Sequence, residues 1–158
     1  MKSTKTRAFS VAVLFSLMLG CSSPDSHRKT VMDNLEGNWT CASAVVNGKP
    51  LPETTVQLLR LTLTRERYLT RKGTEVLFDS TYTTDPAQTP KQIDIVGTEG
   101  ELKGKNAQGI YSLAGDTLTI CYTMPGKPRP TAFESAPGSE AHLVSWKRLS
   151  SADTPAGR

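Results

Sequence analysis

Residues 37–48 read GNWTCASAVVNG, and this stretch decides the fold class. Trp39, Thr40, Val45 and Val46 are flat or β-branched side chains that suit a pleated strand. Asn47-Gly48 then closes the run with a dipeptide whose two residues tolerate the positive φ of a tight reversal. The strand spans 38–46, and the same rhythm continues toward the C-terminus. Pro50 and Pro52 block pairing and predict a loop, with a short helical turn near 53–56. Strand 57–64 carries Leu59, Leu61 and Leu63 on one face and Arg60, Thr62 and Thr64 on the other. Strand 67–71 turns at Lys72-Gly73 into 74–83, where Val76, Phe78 and Tyr82 share a side. Strand 92–96 points Ile93 and Ile95 inward. Strands 108–113 and 117–123 flank a hairpin at Ala114-Gly115-Asp116. Four prolines make 124–140 a long loop before the last strand, 141–149.

No stretch of useful length has helical periodicity, which excludes folds built on helical crossovers. The fold expected is all-β, an antiparallel up-and-down barrel of about eight strands, because closure removes exposed strand edges. The interior is expected to be lined by Leu61, Phe78, Tyr82, Ile95, Ile120 and Tyr122. Eight strands either enclose one small hydrophobic ligand or fill their interior with side chains.

Gly37-Asn38-Trp39 resembles the Gly-x-Trp motif of lipocalins, in which the glycine turns the chain into the barrel and the tryptophan plugs its closed end. Lipocalins also place an arginine after the last strand over that indole. Trp146-Lys147-Arg148 ends the final strand here, so the resemblance assigns that contact to Arg148. The Thr-Asp-Tyr element of many lipocalins is missing. A broader likeness covers residues 35–148: LEGNWTCASAVVNGKPLP, DPAQTPKQIDI, KGKNAQGIYSLAGDTLTICY and PGKPRPTAFES occur in order. Together they resemble a lipocalin-like domain family of unknown function, common on secreted or lipid-anchored chains of planctomycete bacteria. The resemblance implies a fold and a lineage and carries no activity or catalytic residue.

The N-terminus has its own grammar. Lys2, Lys5 and Arg7 precede an apolar run over 8–19 that is too short to span a bilayer, and Gly20 is the small residue before a cut. The order is that of a secretory signal. LMLGC resembles the bacterial lipobox, with Met18 and Leu19 departing from its commonest letters, and implies that Cys21 is acylated. The domain plan is therefore a signal peptide over 1–20, a lipidated cysteine and tether over 21–34, a barrel over 35–149 and a tail over 150–158. A helical turn is expected near 31–35. The expected location is the bacterial cell envelope, lipid-anchored through Cys21. Ser22, where Asp resembles an inner-membrane retention signal, favours the outer membrane.

The formal charge of +4 owes three positives to the leader; without them 16 basic groups face 15 acidic ones. A nucleic-acid partner loses its support, since phosphate binding needs a concentrated positive field. The expected partners are the membrane, through the lipid, and a small hydrophobic ligand or an envelope protein docking near Phe133. Cys41 and Cys121 are read as two separate buried thiols, with a bridge as the alternative; Cys121 alternates away from Leu118, Ile120 and Tyr122. His27 and His142 have no partner at metal-ligand spacing, so neither metal nor cofactor is expected. No nucleophile elbow or phosphate loop is present, and the chain is read as non-catalytic. The alternative function is a filled-barrel protein-interaction or structural module of the cell envelope, and a carboxylate-dependent envelope hydrolase is a third reading, needing two of Asp85, Asp94, Asp116 and Glu134 close together in a cleft. Turn capping by Asp85 and Asp116 is preferred. Asp94 is expected to point to solvent or a lysine. Lys103, Lys105, Lys127 and Arg129 are read as a solvated basic edge, with anion binding as the alternative.

Overall fold

The structure is a computed structural model that describes residues 33–150. The leader, Cys21, His27 and the tether up to residue 32 lie outside the described residues, as does the tail from 151.

Nine strands follow in chain order: β1 Gly37–Val46, β2 Lys49–Pro50, β3 Leu59–Leu63, β4 Arg67–Lys72, β5 Glu75–Asp85, β6 Lys91–Gly97, β7 Asn106–Ala114, β8 Thr117–Thr123 and β9 Ala141–Arg148. A single helical turn, α1 Glu53–Val56, and a 3-10 turn, Gly100–Leu102, interrupt them. Sequential antiparallel pairing runs from β1 through β3 to β9, and β9 pairs back onto β1. The result is the closed eight-stranded up-and-down barrel expected from the alternation. β2 is a two-residue addition on β1, where Pro50 pairs with Val45. Pro50 and Pro52 predict a loop here; pairing survives because Pro50 lies at an edge, where its missing N–H faces no further strand.

Two bulges adjust the pattern. Between Cys41 and Ser43 the register with β9 shifts, so Trp39, Cys41 and then Ala44 all join the core. Opposite the Thr70/Arg71 step, Thr70 pairs with Phe78 and Arg71 with Val76, passing over Leu77. Val76 is consequently 49 % exposed and does not share the buried face expected for it with Phe78 and Tyr82. Asn47 and Gly48 both have positive φ, as the turn demands, and a Cβ on Gly48 would lie 2.5 Å from the Pro137 nitrogen.

The barrel has a sealed pole and an open one. At the sealed pole the chain over 33–36 crosses beneath the strands as irregular backbone, and residues 31–32, the start of the helical turn expected near 31–35, lie outside the described residues. Leu35 is buried there, and the carboxylate of Asp33 accepts bonds from Lys91 Nζ at 2.6 Å and the Tyr111 hydroxyl at 3.0 Å. Asp33 and Asn34, assigned to the tether from sequence, thus contact the barrel. Above them Leu61, Leu63, Ile93, Leu118 and Ile120 are buried together and fill the lower interior.

Candidate functional site

The residues 37–39 and 148 form the plug. Trp39 is fully buried and donates Nε1–H to the Leu35 carbonyl at 3.1 Å. The guanidinium carbon of Arg148 lies 4.1 Å from the Trp39 ring centroid. Arg148 also donates to the carbonyls of Glu36 at 2.5 Å and Asn34 at 2.8 Å, and meets Asp116 at 3.6 Å. Gly37 has φ +139°, and a Cβ there would fall 2.8 Å from Arg148 Nη1, so both backbone and neighbour require glycine. The three residues that the lipocalin resemblance singles out, Gly37, Trp39 and Arg148, meet at the sealed pole.

The open pole holds a cavity of about 190 Å³. Its walls come from β1 (Ala44), β3 (Leu59), β4 (Tyr68, Thr70), β5 (Phe78), β8 (Tyr122) and β9 (His142, Val144, Trp146), together with Val46, Leu51 and Leu77. No acidic or basic side chain lines it apart from the imidazole of His142. That ring stacks on Tyr122, with centroids 4.9 Å apart, and burial lowers its pKa, favouring the neutral form. Burial likewise pushes the Tyr122 hydroxyl up to about 12 and that of Tyr68 further, so both stay protonated. Trp146 is 2 % exposed, and its Nε1 is the buried side-chain donor left without a hydrogen-bond partner among the described residues. A second, smaller void of about 30 Å³ shares Tyr68, Phe78 and Tyr122 and adds Ile95 and Leu102.

The six lining residues named from sequence separate by height. Phe78 and Tyr122 line both voids and Ile95 the smaller one. Leu61 and Ile120 face inward but lie in the filled half. Tyr82 borders a groove at the sealed pole and donates its hydroxyl to the Thr64 carbonyl at 2.9 Å. Sequence reading missed Tyr68, Val144 and Trp146, although each is an inward position of its own strand and Trp146 shares a β-period face with Val144.

The loop over 124–140 is a strap on the outside of the barrel, covering a small outer core of Ile110, Cys121, Ala141 and Leu143. Arg129 fastens it, donating to the carbonyls of Ile93 at 3.0 Å and Gly109 at 2.6 Å and pairing with Asp94 at 2.9 Å. Asp94 therefore has an arginine partner in place of the expected solvent or lysine. Lys127 pairs with Glu140 at 2.8 Å, Lys105 borders the smaller void and Lys103 is exposed at the end of the 3-10 turn, so the four cations of the expected basic edge have separate settings. Cys41 belongs to the inner core and Cys121 to the outer one; both are free, and burial raises both thiol pKa values, Cys41 to about 11.

Of the four carboxylates, Asp85 accepts from the Ala87 amide and Gln88, capping its turn, and Asp116 faces Arg148. None of the four lines either cavity. Among the described residues no three His, Cys, Asp or Glu side chains are grouped to hold a metal ion. Phe133 is 38 % exposed on the strap.

Comparison with protein-family models, curated proteins and solved structures gives no significant match to this chain.

Proposed function

We propose that this chain is a lipid-anchored envelope protein of the lipocalin-like family described above. In this reading its open pole holds one small, neutral, mainly apolar molecule without catalysis. The observation that carries the binding half is the charge-free cavity of about 190 Å³. Volume sets the size class: an apolar void of about 150 Å³ holds one benzene and stays dry. One ring-sized molecule with a few substituents fits, whereas a long acyl chain does not. Charge sets the chemistry: a fatty acid would bury its carboxylate opposite no cation, at a cost of several kcal/mol. The anchoring half rests on the leader and LMLGC, and on Ser22 for the outer membrane.

Titration with toluene, naphthalene and decanoate, followed by amide shifts in two-dimensional NMR, tests the cavity. Saturable shifts at Ala44, Val144 and Trp146 are expected with the two aromatic hydrocarbons and none with decanoate. Native mass spectrometry of protein from its own host would report the resident molecule. No saturation with any neutral ring compound, together with an empty native spectrum, ends the binding reading. For the anchor, Cys21→Ser is compared with wild type in detergent-phase partitioning. Two or more acyl chains give stable membrane attachment where one is marginal, so wild type should enter the detergent phase and the variant the water. Equal partitioning of both into water ends the lipoprotein reading.

A further inference from the structure

We propose that β5 offers a free strand edge over residues 75–78 that receives an extended, basic peptide segment of a partner protein. β5 is longer than the neighbour that covers it. β6 pairs only with Ser80 through Asp85, while β4 runs along the other edge to Glu75. The cause lies at Gly97. There the chain leaves β6 and folds back so tightly that a Cβ would sit 2.3 Å from the Leu102 carbonyl oxygen. Thr98 spends both its amide and its hydroxyl on the Asp79 carbonyl, at 3.1 and 2.7 Å, the last hydrogen bonds that join the two segments along this edge. Beyond it, residues 75–78 have no backbone partner on that side among the described residues.

The gap is a groove of about 350 Å³ between this edge and residues 97–102. Phe78 and Leu102 supply apolar surface, and Val76 and Leu77 stand exposed beside them, 49 % and 36 %. Natural edges are normally blunted by lysine, proline or a covering loop; here apolar side chains stand at an uncovered one. Every charged residue lining the groove is acidic: Asp79, Glu99 and Glu101. Asp79 is neutralised by Arg67 at 2.5 Å, whose charge also reaches Glu99 at longer range, but neither Glu99 nor Glu101 forms an ion pair among the described residues. An added strand makes main-chain bonds to the edge while its alternate side chains set specificity. The groove thus selects apolar residues toward Phe78 and Leu102 and lysine or arginine toward the two glutamates. A second copy is disfavoured, since two-fold pairing of this edge with itself would bring both acidic rims together.

The test uses the mature chain and three hexapeptides, followed by amide shifts. The acetylated, amidated Lys-Val-Lys-Val-Lys-Val peptide is expected to shift 75–79 and 98–102 saturably. Its counterparts with glutamate for lysine, and with proline at the two central positions, are expected not to bind. Glu99→Gln with Glu101→Gln, both at surface positions, should weaken the basic peptide by about tenfold. Equal binding of the proline peptide would show that no strand is added, and equal binding of the acidic peptide would remove the charge argument. Absence of saturation, or the same shifts on raising protein concentration alone, would likewise overturn the proposal.

Discussion

Trp39 and Arg148 are cross-strand partners in the ladder that closes the barrel, and the guanidinium lies over the indole at 4.1 Å. The same side chain also collects two carbonyls of the segment passing beneath it. One arginine thus joins the first strand, the last strand and the plug.

Arg148→Ala should lower stability by about 2–3 kcal/mol, the sum of a partly shielded cation–π contact and charge-assisted hydrogen bonds. Urea denaturation at neutral pH measures it. Gly37→Ala should cost about 1–3 kcal/mol from its φ of +139° and its clash with Arg148 Nη1. Because the clash needs Arg148, the double variant should lose less than the two single losses added together. Strict additivity would show that the two residues act separately.

Ala44→Leu should fill part of the open-pole cavity. Ala44 is buried on its wall, and the added isopropyl group has void to enter. Toluene binding should fall at least tenfold while the melting temperature holds or rises, as cavity filling usually does. Unchanged binding would place the ligand elsewhere.

His142 should make stability depend on pH in one direction. Its pKa is lowered from 6.5 by burial, so the unfolded chain binds its proton first as pH falls. Stability should therefore be full above pH 6.5 and decline below it, levelling once the folded form is protonated too. His142→Phe should flatten that part of the profile and leave the plateau at pH 8 nearly unchanged. Affinity for toluene should fall only at the lower end of that window, where the folded form itself takes up the proton and stability levels off, because a charged imidazole on the wall opposes an apolar guest.

Cys41 and Cys121 should both resist a thiol reagent in the native Cys21→Ser protein at pH 8. Their thiols are buried and their pKa values raised, leaving little thiolate. In denaturant without reductant both should react, giving two thiols per chain. A count of zero there would mean that they had been oxidised to a bridge.

Inward and outward positions were legible in the sequence because a strand has period two: Leu59, Leu61 and Leu63, or Ile93 and Ile95, declare their side unaided. Height was not. Whether an inward residue such as Leu61 lies in the filled half, or one such as Val144 at the mouth, depends on the stagger between neighbouring strands, and alternation carries no information on that. The bulges at 41–43 and at Leu77 were hidden for a similar reason, since one extra residue in a strand resembles any other until its partner is known. Arg129 reaching Asp94 joins a loop to a strand distant in sequence, and a charge pattern along the chain does not foretell such a meeting. The motif at 37–39 and Arg148 was legible only through resemblance to lipocalins.

The segment over 33–36 gives the molecule a mechanical polarity. The chain enters at the sealed pole, where Asp33 is clamped by Lys91 and Tyr111 and Leu35 by Trp39. Tension applied from the N-terminal side is therefore borne first by that clamp. The mouth, at the opposite pole, is shielded from it, so a tug strong enough to fray the entry point would reach the cavity last.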